Sequence, residues 1–316
     1  MILFRVVYVD DVLVSEKLVK KFGGVVALDG VDVEVRSGEV AVLLGPNGSG
    51  KSTFLKISAG VVEPTSGRLL VFGREPYRDV EVRGRTSYMP QDAGLYSSLT
   101  GFENYLFYAA MQEVDRGRAL EILEMVKDEL ELDEWFFKRK VGTYSGGMKR
   151  KTSLAVALGS DPDLLILDEP TTGLDPASRR VFWRLIERLK RTGKTVVLAT
   201  HLFEDAEYLA DSIVVMYRGR VVARGSPEEL KRKTGYRYAV DVELSSEPSK
   251  ALIEKLKLPG TKMIPSGGFR LTIIGNSIDF VSEVEERLRS VRVVSFSMRR
   301  LSLGDAYFLF TGVRLE

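Results

Sequence analysis

The stretch that most constrains this chain is a glycine-rich loop between an apolar run, Val40 to Leu44, and a helical pattern that ends at Gly60. The loop reads Gly45-Pro46-Asn47-Gly48-Ser49-Gly50-Lys51-Ser52-Thr53. Its glycines allow a turn so tight that several backbone N–H groups point into one hollow at the start of the next helix, which favours a bound phosphate. Lys51 can reach the outer phosphates, and the Ser52 hydroxyl can ligate a magnesium ion that bridges them. The loop therefore predicts a bound nucleoside triphosphate and by itself leaves kinases, GTPases and ATPases open.

Length and composition narrow the remaining possibilities. A chain of 316 residues can hold one large domain and one small domain. Its net charge of +2, from 46 basic and 44 acidic residues, provides no strong field for nucleic acid, so no nucleic-acid partner is expected. No stretch approaches the roughly 20 apolar residues that span a bilayer, and the absence of cysteine excludes disulfides and thiolate metal sites. The apolar run from Ile2 to Val9 is interpreted as an edge strand or a frayed extension.

Two further apolar runs end in residues suited to phosphate chemistry. Leu164 to Leu167 and Thr195 to Thr200 have the unbroken apolar character of parallel strands covered on both faces. The first run is followed by Asp168 and Glu169, and the second by His201, the only histidine. Ligands of open parallel sheets bind beyond the carboxyl ends of the strands, so these residues and the phosphate loop should converge. We expect Asp168 to anchor magnesium, Glu169 to act as general base on the attacking water, and His201 to contact that water or the terminal phosphate.

Three other residues each admit two interpretations. Gln91 follows the predicted strand Thr86 to Met89 and could contact magnesium or water, or be an ordinary polar loop residue. Phe22 could stack on an adenine ring, although the residues alone favour a place in the core. Asp175 before Pro176 has the pattern of a helix N-cap, a role that does not exclude a second one across an interface.

A second helix start suited to anions lies late in a helical region from Asp92 to about Asp161. Ser145 is a good N-cap for a helix running to Gly159, and Gly146 and Gly147 leave backbone N–H groups approachable. The chain has no second phosphate loop, so a triphosphate held here must come from another subunit.

The entry to the helical region carries apolar residues of uncertain placement. Leu95, Tyr96 and Leu99 form either an exposed patch for a partner or a set tucked under the helices. Both arrangements stay open from the sequence.

From Gly235 onward the pattern changes again, which predicts domains at residues 1–235 and 236–316. Alternating strand patterns flank helical stretches, as in a small α+β sandwich such as the ferredoxin-like fold. The strands are expected at 238–244, 269–274 and 291–296, and the helices at 249–256 and 277–289. A last helix should begin at Ser302, with Asp305 completing a partial capping box. This piece shows no catalytic constellation, and dimer support, regulation or simple stabilisation all remain open.

Taken together, residues from about 12 to 235 resemble the ATP-binding-cassette (ABC) ATPases. Five elements occur in the family's order: the phosphate loop, Gln91, Ser145-Gly146-Gly147, Leu164 to Glu169, and His201. The resemblance implies an α/β P-loop NTPase fold with a parallel-sheet core, an antiparallel β subdomain and a helical subdomain at about 92–161. It also implies ATP and Mg²⁺ as cofactors.

The resemblance assigns further roles to residues of the chain. In this family the nucleotide-binding domains dimerise head to tail, and each signature closes over the ATP of the opposite subunit. Phe22 then takes the adenine-stacking position and Asp175 lies in the dimer-contact loop. The resemblance also implies catalytic roles for Lys51 and Gln91, and it places Gln91 among the metal-binding residues.

Finer details look most like the ATPases of ABC-2 type, daunorubicin-resistance-like exporters. The matching segments are Gly94-Leu95-Tyr96, Thr143 to Arg150, and Ser302 to Phe308. Tyr144 replaces the usual leucine, and Met148 replaces a common glutamine and cannot donate a hydrogen bond, which puts any sugar or phosphate contact from that position in doubt. The same variants occur in the exporter group.

The exporter resemblance implies an ATPase subunit for multidrug export at the cytoplasmic face of the membrane. Its partners would be an integral-membrane permease and a second copy of itself or a similar ATPase. The alternative is a soluble ABC ATPase acting on ribosomes or DNA. One phosphate loop and no sustained heptads count against that alternative.

Overall fold

The computed structural model describes residues 11–92, 94–265 and 267–314, so the predicted strand at Ile2 to Val9 lies outside the described residues. The chain forms two compact units that divide after Arg224. The strands of the first unit are β1 (Asp11–Phe22), β2 (Val25–Arg36), β3 (Val40–Leu44), β4 (Ser66–Val71), β5 (Thr86–Met89), β6 (Leu164–Asp168), β7 (Thr195–Thr200), β8 (Ser212–Tyr217) and β9 (Arg220–Gly225). Its helices are α1 (Lys51–Ser58), α2 (Val80–Gly84), α3 (Gly101–Met111), α4 (Arg116–Val126), α5 (Glu134–Lys138), α6 (Gly146–Leu158), α7 (Pro176–Arg191) and α8 (Phe203–Leu209).

A six-stranded sheet with the order β5-β6-β7-β3-β8-β9 forms the centre of the first unit. The pairs from β5 through to β8 are parallel, as the unbroken apolar runs predict. Every residue of β3, β6 and β7 is buried, which explains why these strands lack polar alternation. Leu44 is in register with Thr200, and Asp168 with Ala199, so the carboxyl ends of these three strands lie level at one edge.

The first unit also contains the antiparallel and helical parts that the sequence predicts. A three-stranded antiparallel sheet has the order β2-β1-β4, with β1 and β2 joined by the turn at Gly23 and Gly24. The helices α3 to α6 lie between β5 and β6 in the chain. Thr100 and Glu103 form a capping box that fixes the start of α3 at Gly101.

The second unit has the chain order α9 (Pro227–Lys233), β10 (Tyr238–Leu244), α10 (Lys250–Lys255), β11 (Thr261–Pro265), β12 (Arg270–Gly275), α11 (Asp279–Leu288), β13 (Val293–Arg300) and α12 (Leu303–Thr311). From β10 to β13 this is a β-α-β-β-α-β unit whose sheet order, β11-β12-β10-β13, is antiparallel and ferredoxin-like. The strand β11 was absent from the sequence-based prediction. Ser302 is the N-cap of α12 and forms the expected capping box with Asp305.

The two units divide earlier than the boundary predicted at 235/236. α9 lies before that predicted boundary, yet it packs against α12 within the second unit. Leu230 of α9 is fully buried. The apolar face of α9 is therefore buried against α12, a helix that is distant in sequence.

Candidate nucleotide-binding site

Two glycines of the phosphate loop lie where the backbone passes too close for a side chain. The N–H of Gly45 donates to the carbonyl of Thr200 (3.3 Å), and a Cβ on Gly45 would lie 2.3 Å from the carbonyl oxygen of Met216. Gly50 has a φ of 103°, and a Cβ there would lie 2.6 Å from the Ala27 carbonyl oxygen. The loop from Gly45 to Gly50 is thus packed tightly between β3 and the start of α1, as a phosphate cradle requires.

Lys51 places a buried positive charge at this loop. The side chain is only 5% exposed, and Nζ donates to the carbonyls of Gly45 (2.7 Å) and Pro46 (3.1 Å). Burial lowers the pKa of Lys51, and the nearby charges of Glu169 and Asp168 oppose that effect. The ammonium therefore lies among carbonyl and carboxylate oxygens. A bound phosphate would add further oxygens around the same positive charge.

Ser52 and Asp168 bring two oxygen donors together at the predicted metal position. Ser52 Oγ donates to Asp168 Oδ1 (3.0 Å), and the Tyr88 hydroxyl donates to Asp168 Oδ2 (3.4 Å). Burial raises the pKa of Asp168, while the Ser52 hydrogen bond and the charge of Lys51 lower it. Within the described residues no group of three or more His, Cys, Asp or Glu side chains could hold a metal. A hydroxyl and a carboxylate nevertheless fit Mg²⁺, which commonly takes one or two protein oxygens together with phosphate oxygens and water.

Glu169 is held by contacts from two directions and carries backbone strain. It is 3% exposed and has a φ of 50°, and its N–H donates to the carbonyl of Ala199 (3.0 Å). Its Oε2 accepts from Thr172 Oγ1 (3.0 Å) and lies 2.8 Å from Nδ1 of His201. Its Oε1 lies 3.4 Å from Lys51 Nζ and has no hydrogen-bond partner among the described residues. One carboxylate oxygen is thus fixed by two contacts, and the other is buried facing the Lys51 ammonium with its hydrogen-bonding capacity unused.

Gln91 is tied to the site through its backbone. Arg150 Nη1 donates to the Gln91 carbonyl (2.6 Å), whereas the Gln91 side chain is exposed and forms no hydrogen bond within the described residues. Burial lowers the pKa of Arg150, and the charges of Glu169, Asp168 and Asp92 oppose it. Sequence reasoning assigned no role to Arg150 or to Tyr88, because only the tertiary fold brings them towards these carboxylates.

Phe22 lies at the end of β1 with 50% of its surface exposed, so the interpretation of Phe22 as a core residue is wrong. The strand extends past the covered part of the sheet, and the ring meets Lys20 Nζ 4.9 Å from its centroid. An exposed aromatic ring can stack on a base. That role stays a prediction.

Ser145 and Asp175 both act as helix caps. The N–H of Met148 donates to Ser145 Oγ (3.3 Å), and Ser145 itself is exposed. Asp175 accepts from the N–H groups of Ala177 (2.9 Å) and Ser178 (3.0 Å), which confirms the predicted cap of α7. No hydrogen bond in the described chain joins Ser145 or Asp175 to the phosphate loop, and their contacts across a dimer stay a prediction.

Gly146 and Gly147 leave the start of α6 open. A Cβ on Gly146 would meet no atom within 4 Å, and one on Gly147 would meet only the Leu174 side chain at 3.7 Å. The first turn of α6 therefore leaves room for another molecule to approach its N–H groups.

Comparisons with known proteins show which family this chain resembles. A family model described as ABC transporter matches residues 28–172. The daunorubicin/doxorubicin resistance ATP-binding protein DrrA of Streptomyces peucetius is 36% identical over 301 residues, which cover 93% of this chain and 91% of the relative. The daunorubicin resistance ATP-binding protein DrrA3 of Streptomyces coeruleorubidus is 32% identical over 307 residues and covers 96% of each chain.

Solved structures of similar fold include the ATP-binding subunit of an ABC transporter, with a TM-score of 0.66 and 30% identity over 71% of this chain and 93% of that one. The dimeric structure of the bacterial ABC transporter cassette MJ0796 gives a TM-score of 0.62 and 28% identity over 68% of this chain and 98% of that one. Among the described residues, no helix is both long and apolar enough to cross a bilayer. Near full-length similarity to the two resistance proteins, together with the family match across the phosphate loop and the β6 carboxylates, shows that this chain belongs to the ABC transporter family as an ATP-binding and ATP-hydrolysing subunit.

Proposed function

We propose that two copies of this chain, or one copy and a similar ATPase, close head to tail over two MgATP molecules and thereby power multidrug export through a separate integral-membrane permease. The observation that carries this proposal is the convergence of Lys51, Ser52, Asp168, Glu169 and His201 at the level ends of β3, β6 and β7. The chain would lie at the cytoplasmic face of the membrane, next to the permease. The resistance functions in the relatives' names support drugs as the substrate class.

The geometry supports a division of roles among the site residues. The Thr172 hydroxyl and the His201 ring fix Glu169 Oε2, which leaves Oε1 to take a proton from the attacking water. Lys51 stabilises negative charge on the terminal phosphate. Ser52 and Asp168 would hold Mg²⁺, which supplies charge neutralisation between the outer phosphates when it is bound.

The position of Ser145 supports a site shared between two subunits. Ser145 caps a helix whose first turn is open. No hydrogen bond among the described residues joins this helix start to the phosphate loop of the same chain. Such a helix start provides N–H donors and partial positive charge for an anion. ATP held by one copy would complete this arrangement in the other.

A complementation experiment tests the shared site. Chains with Lys51→Ala and chains with Ser145→Arg, both also carrying Glu169→Gln to prevent turnover, are mixed with labelled ATP and passed over a sizing column. A head-to-tail mixed dimer has one composite site with both native residues, so the mixture should retain ATP in the dimer fraction while each variant alone retains little.

The matched control replaces the Ser145→Arg chain by one carrying both Lys51→Ala and Ser145→Arg, which leaves no intact composite site in any dimer. Retention by this control at the level of the complementing mixture, or no gain on mixing the single variants, would contradict the shared site.

The permease contact is proposed at an apolar patch formed by the exposed residues Tyr96, Phe107 and Met111. Tyr96 is 49% exposed, and its ring centroid lies 5.0 Å from that of Phe107. The loop is held in place by Asn104, whose side chain accepts from the N–H of Tyr96 (2.8 Å) and donates to its carbonyl (3.1 Å). A patch that is apolar, exposed and fixed in shape is suited to a protein partner.

This contact is tested by isolating the Glu169→Gln chain with ATP from its native cells in mild detergent. A polytopic membrane protein should accompany it, and Tyr96→Ser with Phe107→Ser should reduce its recovery. Val80→Ser, which removes a still more exposed apolar side chain elsewhere, should not. Recovery of ribosomes or DNA without a membrane protein would overturn the transport proposal.

A further inference from the structure

The second unit contains a basic pocket that no step of ATP hydrolysis uses. Its volume is about 530 Å³, and it lies between α9, the segment that enters β10, the turn after β12 and the end of β13. The cationic side chains that line it are Lys231, Arg232, Arg237 and Arg300. The only carboxylate in its lining is Glu228, which pairs with Lys231 (2.6 Å).

Three of these cations, Arg232, Arg237 and Arg300, form no ion pair within the described residues. Their neighbour Arg299 shows the contrast, because it is paired with Asp241 (2.6 Å) and with Asp305. The chain thus supplies carboxylates for the arginine beside the pocket but none for those that line it. Since the whole chain has a net charge of only +2, this excess of positive charge is local.

Backbone pairing holds two of these arginines close together. The N–H of Arg237 donates to the carbonyl of Gly275 (3.0 Å), and the N–H of Leu301 donates to the carbonyl of Arg237 (2.9 Å). Arg300 is the cross-strand partner of Tyr238. Two like charges at one sheet end repel each other, and here the fold offers no internal partner that would offset the repulsion.

The chemistry of the lining selects a class of ligand. Guanidinium groups bind phosphate oxygens through paired, charge-assisted hydrogen bonds. Tyr236 and Tyr238 add half-buried rings whose hydroxyls have no hydrogen-bond partner among the described residues. The C-terminal end of α9 carries partial negative charge, but Lys231, Arg232 and Lys233 occupy its last turn and offset it.

We propose that this pocket binds a phosphate-bearing anion, either the headgroup of an anionic phospholipid or a soluble phosphate compound. A volume of about 530 Å³ leaves room for a ligand larger than inorganic phosphate, with Tyr236 and Tyr238 available for contacts beyond the phosphate group. The proposal is independent of the ATP site, whose described residues all belong to the first unit.

The test uses the full chain and two probes, in a Lys51→Ala background that weakens phosphate binding at the ATP site. The first probe is flotation with phosphatidylcholine vesicles that contain or lack phosphatidylglycerol, and the second is calorimetric titration with pyrophosphate. The pocket variant is Arg237→Gln with Arg300→Gln. The matched control, Arg289→Gln with Arg292→Gln, removes the same charge from exposed residues of the same unit that do not line the pocket.

The pocket variant should bind at least one probe about tenfold more weakly or worse, because it loses charge-assisted hydrogen bonds, while the control should bind nearly as the parent does. If the parent chain binds phosphatidylglycerol vesicles and the pocket variant does not, the ligand is a lipid headgroup. If the parent chain binds pyrophosphate but not vesicles, and the pocket variant loses pyrophosphate binding, the ligand is a soluble phosphate compound. The proposal is overturned if neither probe binds, or if both variants lose binding equally.

Discussion

At the scale of single residues, Glu169 is the side chain whose surroundings best explain hydrolysis. Its Oε2 is fixed by Thr172 and His201, and its backbone is held in the left-handed region. Glu169→Gln keeps the shape of the side chain but removes its ability to accept a proton from water. We expect ATP binding to persist and steady-state hydrolysis to fall by about 100-fold or more. Glu204→Gln, a change at an exposed carboxylate, is the control, and near-normal hydrolysis by Glu169→Gln would refute the general-base role.

Residue roles could be predicted from the sequence where a local pattern carries the chemistry. Lys51 follows a glycine-rich loop, and Glu169 follows a buried strand, so both could be found without coordinates. Phe22 could not be placed, because its exposure depends on how far the β1–β2 hairpin extends beyond β4, whose pairing with β1 ends at Val19. Arg150 was missed because its proximity to Gln91 depends on the packing of a helix against a loop 59 residues away.

At the scale of elements, Asp205 of α8 joins the segments that carry Glu169 and His201. It is fully buried and accepts from Thr171 after β6, from Thr200 at the end of β7 (3.4 Å) and from Trp183 of α7 (2.8 Å). Asp205→Asn replaces one acceptor oxygen by a donor and leaves a buried group without a partner. We expect the free energy of unfolding to fall by about 1–3 kcal/mol, measured by urea unfolding with Trp183 fluorescence in a Trp135→Phe background.

The contribution of Asp205 to the free energy of unfolding should also depend on pH. Burial raises the pKa of Asp205 above its ordinary value of 3.8, against the hydrogen bonds from Thr171 and Trp183. The folded state then binds this proton more tightly than the unfolded state, so the contribution to stability is largest below pH 3.8, falls as the pH rises through the raised pKa and is constant above it. Since asparagine does not titrate, the stability advantage of the parent over Asp205→Asn should shrink from about pH 4 upward. An advantage that grows over this range would show that the pKa is lowered instead.

Strands with continuous or regularly alternating burial could be predicted best. The fully buried strands β3, β6 and β7 are continuous apolar runs, and β5 and β10 were predicted with the bounds that the structure gives. β11 was missed because Lys262 and Pro265 interrupt its apolar pattern. The contact between α9 and α12 could not be predicted from the compositional change at Gly235, because α12 lies some seventy residues further along the chain.

At the scale of the whole molecule, the two compact units predict how the chain tolerates truncation. The described residues of the nucleotide site and the buried core beneath it all precede Gly225, so a chain that ends at Arg224 should fold and bind ATP as the full chain does. A chain that ends at residue 235 keeps α9 without α12 and exposes Leu230, whose burial is worth about 1.5–3 kcal/mol. A helix of seven residues is not stable alone, so limited proteolysis should cleave residues 226–235 quickly in this chain and slowly in the full chain. ATP affinity and thermal midpoint, measured for both truncated chains, should agree. If the chain that ends at Arg224 loses ATP binding while the one that ends at 235 keeps it, α9 belongs to the nucleotide-binding domain and the division after Arg224 is wrong.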